Sequence, residues 1–156
     1  MNMRIKIVLA ALCLCIAGIA SAQSNLYNKY SDMNGITSVH ISKTILKMMG
    51  DKKVGPGINL NGLSDKIDDL YVFTTESQEA SSALAKEEKS YKSSKKYEEL
   101  IKVKDATDDV AIYIRNGKKY IEEIILFVHD KESQEYTIVQ IIGRLTKDDI
   151  NKLADL

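Results

Sequence analysis

The chain has 156 residues, and its 22 lysine and arginine residues balance 22 aspartate and glutamate residues. A near-neutral surface of mixed sign lacks the basic footprint with which proteins bind nucleic acid. A domain of about this size buries roughly two thirds of its unfolded surface, which is enough to fold without disulfides or metals. We therefore expect one folded domain and no nucleic-acid partner.

The N-terminus has the pattern of a secretory signal peptide. Arg4 and Lys6 are basic, residues 7–19 are apolar, and Ala-Ser-Ala ending at Ala22 provides the small residues of a cleavage site. We expect cleavage after Ala22, a periplasmic or secreted protein, and a single domain over 23–156. An uncleaved anchor and lipid attachment are the alternatives. The apolar stretch is short for a bilayer, and a leucine precedes each cysteine where a lipoprotein site needs a small residue.

Cleavage would leave 134 residues with no cysteine, and with 20 basic against 22 acidic residues. This composition excludes disulfides, thiol catalysis and thiolate-bound metals. His40 and His129 are then the only imidazoles, and no convergent partners stand at motif spacing from either. The aspartate clusters lack the order of a calcium loop and fit caps and turns. The sequence predicts no catalytic residue, no cofactor and no metal site.

Two strand–helix units occupy the first half of the chain. Ser42 is placed to cap the first helix. Thr75 and Gln78 form a capping box that starts a longer helix, extending to about Ser93. The other predicted elements are a helical turn at 26–30, a strand at 36–42, a helix at 43–49, an irregular connector at 50–62 and a strand at 70–74.

The second half predicts an antiparallel meander followed by a C-terminal helix capped at Thr146. Asn116-Gly117 is typical of a two-residue type I′ turn between two strands. This turn places Tyr113 directly opposite Tyr120. The predicted strands cover residues 97–104, 110–115, 120–129 and 136–145.

Together these elements predict an α+β fold, with two β-α units, an antiparallel meander and a C-terminal helix, and with the helices packed on one mixed sheet. Right-handed crossovers between neighbouring strands place both connecting helices on one face. The opposite face then keeps an apolar patch, and such patches mark interaction surfaces. The candidate interaction surface consists of Tyr113, Tyr120, Ile124, Leu126 and Val128, and the opposite set of residues on the same strands is the alternative.

Several runs resemble a known family. They are Tyr30-Ser31, Val39-His40-Ile41-Ser42-Lys43 with Met48-Met49, Tyr97-Glu98-Glu99-Leu100, Thr137-Ile138-Val139-Gln140-Ile141 and Asp148-Asp149-Ile150. The chain resembles the exported Bacteroidota proteins of the domain-of-unknown-function family 4252 over essentially all of 23–156. The resemblance implies export to the envelope and frequent proximity to genes for extracytoplasmic sigma factors. It implies no established activity.

Two functional hypotheses follow. The first is a non-enzymatic envelope module that binds an envelope protein, or a second copy of itself, through a sheet face, within a stress-signalling circuit. The alternative is a small hydrolase that uses carboxylates or a histidine brought together by the fold. A pocket with facing carboxylates or a His–carboxylate pair favours the hydrolase, and a flat apolar face favours the binding module.

Overall fold

The computed structural model describes residues 25–50, 53–54, 58–60, 62–75 and 77–153, and the predicted signal peptide lies outside them. Within these residues the chain forms four helices and eight strands, which confirms the α+β class. In chain order they are α1 Asn25–Tyr30, β1 Ile36–Ser42, α2 Lys43–Met49, β2 Lys53–Val54, β3 Ile58–Asn59, β4 Ile67–Thr75, α3 Gln78–Ser93, β5 Glu98–Lys104, β6 Asp108–Asn116, β7 Ile121–Asp130, β8 Tyr136–Leu145 and α4 Lys147–Leu153.

Six strands form one sheet in the order β1-β4-β8-β7-β6-β5, and every neighbouring pair is antiparallel. The prediction of a mixed sheet was therefore wrong. Helix α3 carries the chain from β4 to the far edge of the sheet, so that β4 and β5 run in the same direction without being neighbours. The meander then returns toward β4 and inserts three strands between them. Strands β2 and β3 pair separately as a short antiparallel ribbon.

The two faces of the sheet bury different kinds of side chain, because successive residues of a strand point to opposite faces. One face, here called the aliphatic face, packs residues such as Leu70, Val139 and Ile141 against Leu46 of α2. The other, the aromatic face, packs residues such as Tyr71 and Phe127 against α1 and α3; its members are Leu26, Tyr30, Tyr71, Phe73, Leu84, Ala111, Tyr113, Ile125, Phe127, Tyr136 and Ile138.

The helices are divided between these faces. Helices α1 and α3 supply Leu26, Tyr30 and Leu84 to the aromatic face, whereas α4 packs Ile150 and Leu153 on the aliphatic face. The prediction that the helices share one face was therefore wrong. The handedness rule behind it applies to crossovers between parallel strands. Helix α2 lies within the connection between β1 and β4, which are antiparallel neighbours.

The hairpin between β6 and β7 has a four-residue turn. The N–H of Gly117 donates to the carbonyl of Tyr120 at 2.8 Å, and Asn116 pairs with Ile121. Tyr113 consequently lies opposite Ile125. The predicted two-residue turn and the pairing of Tyr113 with Tyr120 were wrong.

The observed register gives the Glu123 carboxylate a basic partner on the neighbouring strand. The predicted register would have placed Glu123 opposite the apolar Val110. In the structure Glu123 lies opposite Arg115, whose Nε donates to the Glu123 carboxylate at 3.0 Å. Since an unpaired buried carboxylate is costly, this ion pair outweighs the local preference of Asn-Gly for a tight turn.

The N-cap of α3 also differs from the prediction. Ser77 is the N-cap, and its hydroxyl accepts from the N–H of Ala80 at 3.2 Å. Thr75 is still part of β4, where its hydroxyl accepts from the N–H of Tyr136 at 2.8 Å. The helix nevertheless ends at Ser93, as predicted. None of the described helices is long and apolar enough to cross a membrane.

Candidate interaction surface

Helix length decides how much of each face is covered. Helix α3 has 16 residues, which makes it about 24 Å long, close to the roughly 24 Å spanned by six strands. Helices α2 and α4 have seven residues each, or about 10 Å. The two short helices on the aliphatic face therefore leave part of the sheet uncovered.

A row across this face takes one aliphatic side chain from each of the six strands, and its central part borders a small cavity beside α4. Its members are in mutual register across the sheet, in the order Val39, Val72, Val139, Leu126, Ile112 and Ile101. Val139 at the centre is buried, Val39 at one edge is 43% exposed, and the other four are half-buried. The exposed and half-buried members of the row are in register across neighbouring strands, and contiguous exposed apolar patches mark interaction surfaces.

The next row of side chains on this face lies about 7 Å further along the strands. This row is apolar on β5, β6 and β7 and polar on β8, β4 and β1. Val103, Val110 and Val128 are in register on β5, β6 and β7, and Val103 is 47% exposed. The corresponding positions of β8, β4 and β1 are threonines. We call the exposed and half-buried members of both rows the open face; they are Val39, Val72, Ile101, Val103, Val110, Ile112, Leu126 and Val128.

The structure distributes the predicted surface residues over three places. Leu126 and Val128 belong to the open face, and Ile124 lies on the same side of the sheet but is buried in its core. Tyr113 lies on the aromatic face, 1% exposed, where burial and a hydrogen bond to Glu99 raise the pKa of its hydroxyl. Tyr120 lies in the hairpin turn and is 37% exposed.

The tyrosines were misplaced because the prediction took the wrong register, and because it assigned them to the uncovered face on the strength of their amphipathic character. The structure packs Tyr71 and Tyr136 with Tyr113 beneath α1 and α3 instead. Valines at alternate strand positions, such as Val39 and Val103, are the signal that would have identified the open face.

His40 forms the one His–carboxylate contact among the described residues. Its Nε2 lies 2.7 Å from Oδ1 of Asp69, and each side chain is about one third exposed. The imidazole stacks on Tyr71 with ring centroids 4.4 Å apart. A catalytic triad would also need a nucleophile hydrogen-bonded to the imidazole. His129 is stacked on Tyr136 on the same side of the sheet.

A buried polar cluster lies on the aromatic face near the C-terminus of α3. The Glu123 carboxylate accepts from Tyr97 Oη at 2.8 Å, from Gln140 Nε2 at 2.6 Å and from Arg115. Burial, together with the charge of Glu123, raises the pKa of Tyr97 to about 12. Because every donor is matched to the carboxylate, this cluster stabilises the sheet and offers no free acid or base.

The predicted caps and turns account for two of the three acidic clusters, whereas Asp65, Asp68 and Asp69 form ion pairs with Lys47, Lys43 and His40. Asp105 accepts from the N–H groups of Thr107 and Asp108, both at 2.8 Å, within the β5–β6 turn. Asp149 accepts from the N–H of Thr146 at 2.8 Å at the start of α4. Within the described part of the chain, no three histidine or acidic residues converge as a metal site would require.

Comparison with known proteins places the chain in a family without assigning an activity to it. Neither the curated proteins nor the solved structures contain a match to this chain. The family model described as "Domain of unknown function (DUF4252)" matches residues 30–153, which include all of the sheet and helices α2 to α4. The chain belongs to this family.

Proposed function

We propose that this protein is a non-enzymatic binding module of the cell envelope, and that it docks a partner protein on the open face. The observation that carries the proposal is the cross-sheet row from Val39 to Ile101, exposed at its β1 edge and half-buried on most of the remaining strands. Such a surface provides contact area and shape without any reacting group. The core of a protein–protein interface is likewise more apolar than the rest of the surface and depleted of charged residues.

The cellular setting of the proposal comes from the sequence. The signal-peptide pattern that ends at Ala22 supports export to the periplasm or beyond. The proximity to sigma-factor genes implied by the resemblance favours a partner within an envelope stress-signalling circuit. Self-association through the same face is the alternative mode of binding.

Charged substitutions at the two exposed edges of the open face test the proposal. Val39→Glu with Val103→Glu places carboxylates at positions 43% and 47% exposed, so the fold should tolerate them. We expect recovery of a specific partner from envelope extracts to fall at least about tenfold, which corresponds to about 1.4 kcal/mol. Ser82→Glu with Ser93→Glu on the exposed side of α3 is the matched control.

Sedimentation of the purified protein separates the two modes of binding. If the wild-type protein is a dimer and the Val39/Val103 variant is a monomer, the open face mediates self-association. If the wild-type protein is a monomer and the variant captures less partner, the open face binds a separate protein. Equal capture by the variant and its control would refute the use of the open face.

The hydrolase alternative rests on the His40–Asp69 pair. It predicts that the purified protein hydrolyses small ester or phosphate substrates, and that His40→Ala abolishes this activity. Loss of partner capture in the Val39/Val103 variant, together with no hydrolysis of these substrates by the wild-type protein, would favour the binding module over the hydrolase.

A further inference from the structure

A second feature of the aliphatic face is a cleft beside α4. It has a volume of about 830 Å³, which is within the usual range of small-molecule sites. Strands β5 to β8 and α4 provide its apolar walls, which include Leu100, Ile101, Ile114, Ile121, Leu145 and Ile150. The walls thus offer an alkyl group contact on several sides.

The mouth of the cleft is cationic. Lys118 and Lys119 of the hairpin turn and Lys147 of α4 line it, and Glu98 is the single acid among its described lining residues. None of these three lysines forms an ion pair with a residue that the structure describes. Glu98 accepts a hydrogen bond from Asn116 at 3.1 Å. Three lysines without an ion-pair partner among the described residues therefore line the cleft, and Nζ of Lys119 lies 5.6 Å from the ring centroid of Tyr120.

The apolar lining continues past α4. Ile150 also borders a smaller cavity of about 70 Å³, whose other walls are Ile112, Ile124, Leu126, Val139, Ile141 and Leu153. Among the residues that the structure describes, no polar side chain lines this second cavity. The structure thus provides an apolar cleft lined by three lysines, and a smaller apolar cavity that adjoins it at Ile150.

We propose that the cleft binds a single-chain amphiphile whose anionic head group is a carboxylate or a phosphate. The lysines bind the head group, and the alkyl chain lies on the apolar walls with its end directed toward Ile150. Charge complementarity selects this occupant, because a neutral amphiphile leaves the three lysines unused and a cationic one is repelled by them. The cleft shares Ile101 with the open face, and the smaller cavity shares Ile112 and Leu126 with it. The three lysines lie outside the open face, so their substitution tests the cleft alone.

Calorimetric titration with alkyl carboxylates tests the proposal, using octanoate, decanoate and dodecanoate below their micelle concentrations. We expect affinity to rise about fourfold for each methylene buried. Lys118→Glu, Lys119→Glu and Lys147→Glu together should weaken dodecanoate binding about tenfold, because three exposed charge pairs of modest strength are lost. The control reverses Lys89, Lys92 and Lys95, which are exposed on or just after α3, and should bind like the wild type.

Leu100→Ser provides a second variant that preserves the fold, because Leu100 is 40% exposed. It should reduce the gain in affinity with chain length without changing the preference for anions. Tighter binding of dodecyl phosphate than of dodecanoate would identify a phosphate head group, and the reverse order a carboxylate; both support the site. Equal binding of dodecyltrimethylammonium, equal loss in the control, or no binding of any alkyl anion would overturn it. Partner capture through the open face would be unaffected by that failure.

Discussion

Replacing Asp149 with asparagine tests how α4 is held on the sheet. The Asp149 side chain is 2% exposed and accepts from Lys66 Nζ at 2.7 and 2.8 Å. It also accepts from the N–H and the hydroxyl of Thr146 at 2.8 and 2.7 Å. Asparagine keeps the size and removes the charge, so the change isolates the electrostatic contribution.

The expected loss can be worked from these contacts. A helix cap contributes about 1 kcal/mol, and a hydrogen bond to a charged group about 1.5–3 kcal/mol. Lys66 is 43% exposed and returns to water in the variant, which offsets part of the loss. We expect Asp149→Asn to lower the free energy of unfolding by about 2 kcal/mol in urea denaturation at neutral pH. The melting temperature should fall by about 7 °C for a domain of this size.

The effect should depend on pH with a defined sign. Burial opposes ionisation of Asp149, but the hydrogen bonds from Lys66 and Thr146 outweigh it and hold the pKa of the carboxyl below its ordinary value of 3.8. The stabilisation is therefore present above the unfolded-state pKa and is lost as the pH falls through the folded-state pKa. The difference between wild type and variant should be full at about pH 7 and should shrink toward about pH 2.

The neighbouring Asp148 provides the control, since it is an exposed acid in the same first turn of α4. Asp148→Asn removes the same charge and should change stability by less than about 0.5 kcal/mol. A similar loss in both variants, or a loss for Asp149→Asn that is independent of pH, would refute the account of how α4 is anchored.

Three further predictions concern the sheet and α3, each measured by urea denaturation. Arg115→Met should lower the free energy of unfolding by about 2 kcal/mol, because it leaves the buried Glu123 carboxylate without its cation. An unchanged midpoint of urea denaturation would contradict the assigned register of β6 and β7. Gly143→Ala should cost about 1–3 kcal/mol, because its methyl group would overlap the backbone carbonyl of Lys66; a stable variant would show that β4 and β8 are further apart. Ser77→Ala should lower the free energy of unfolding by about 1 kcal/mol, because α3 loses its N-cap. An unchanged free energy of unfolding would show that another residue caps the helix.

The sequence predicts the individual elements well, because their patterns are local. The alternation over Ile36–Ser42 and the helix that follows over Lys43–Met49 are found with the predicted bounds. The 97–104 segment is a strand over Glu98–Lys104, as the turn after it indicated. Each of these predictions depends on neighbouring residues alone.

Apart from the N-cap of α3, which is Ser77 and not Thr75, the predictions that were wrong concern distant partners. Asn116-Gly117 favours a tight turn locally, but the pairing of Arg115 with Glu123 determines the register. The antiparallel sheet depends on β8 returning to pair with β4, as at Val139 and Val72. No local pattern shows which strands are neighbours in the sheet. The assignment of the tyrosines to a face of the sheet depended on the hairpin register and on the order of the strands.

The open face could have been predicted in part from helix lengths. Seven-residue helices cannot cover six strands, whereas the 16-residue α3 can. The sequence alone does not show which face the short helices occupy, because that depends on the antiparallel pairing of β1 with β4. The lysine-lined cleft was not foreseen, since it joins the hairpin turn, β5 and α4 across the fold.

Site-specific photo-crosslinking in the envelope tests the binding module most directly. A photoreactive side chain at Val103 or at Val39 would lie on the open face, at its β5 and β1 edges respectively, and one at Lys92 would lie on the exposed side of α3. The account predicts one discrete adduct of the same mass from positions 103 and 39 and no such adduct from position 92. Equal labelling from all three positions, or an adduct from position 92 alone, would contradict it.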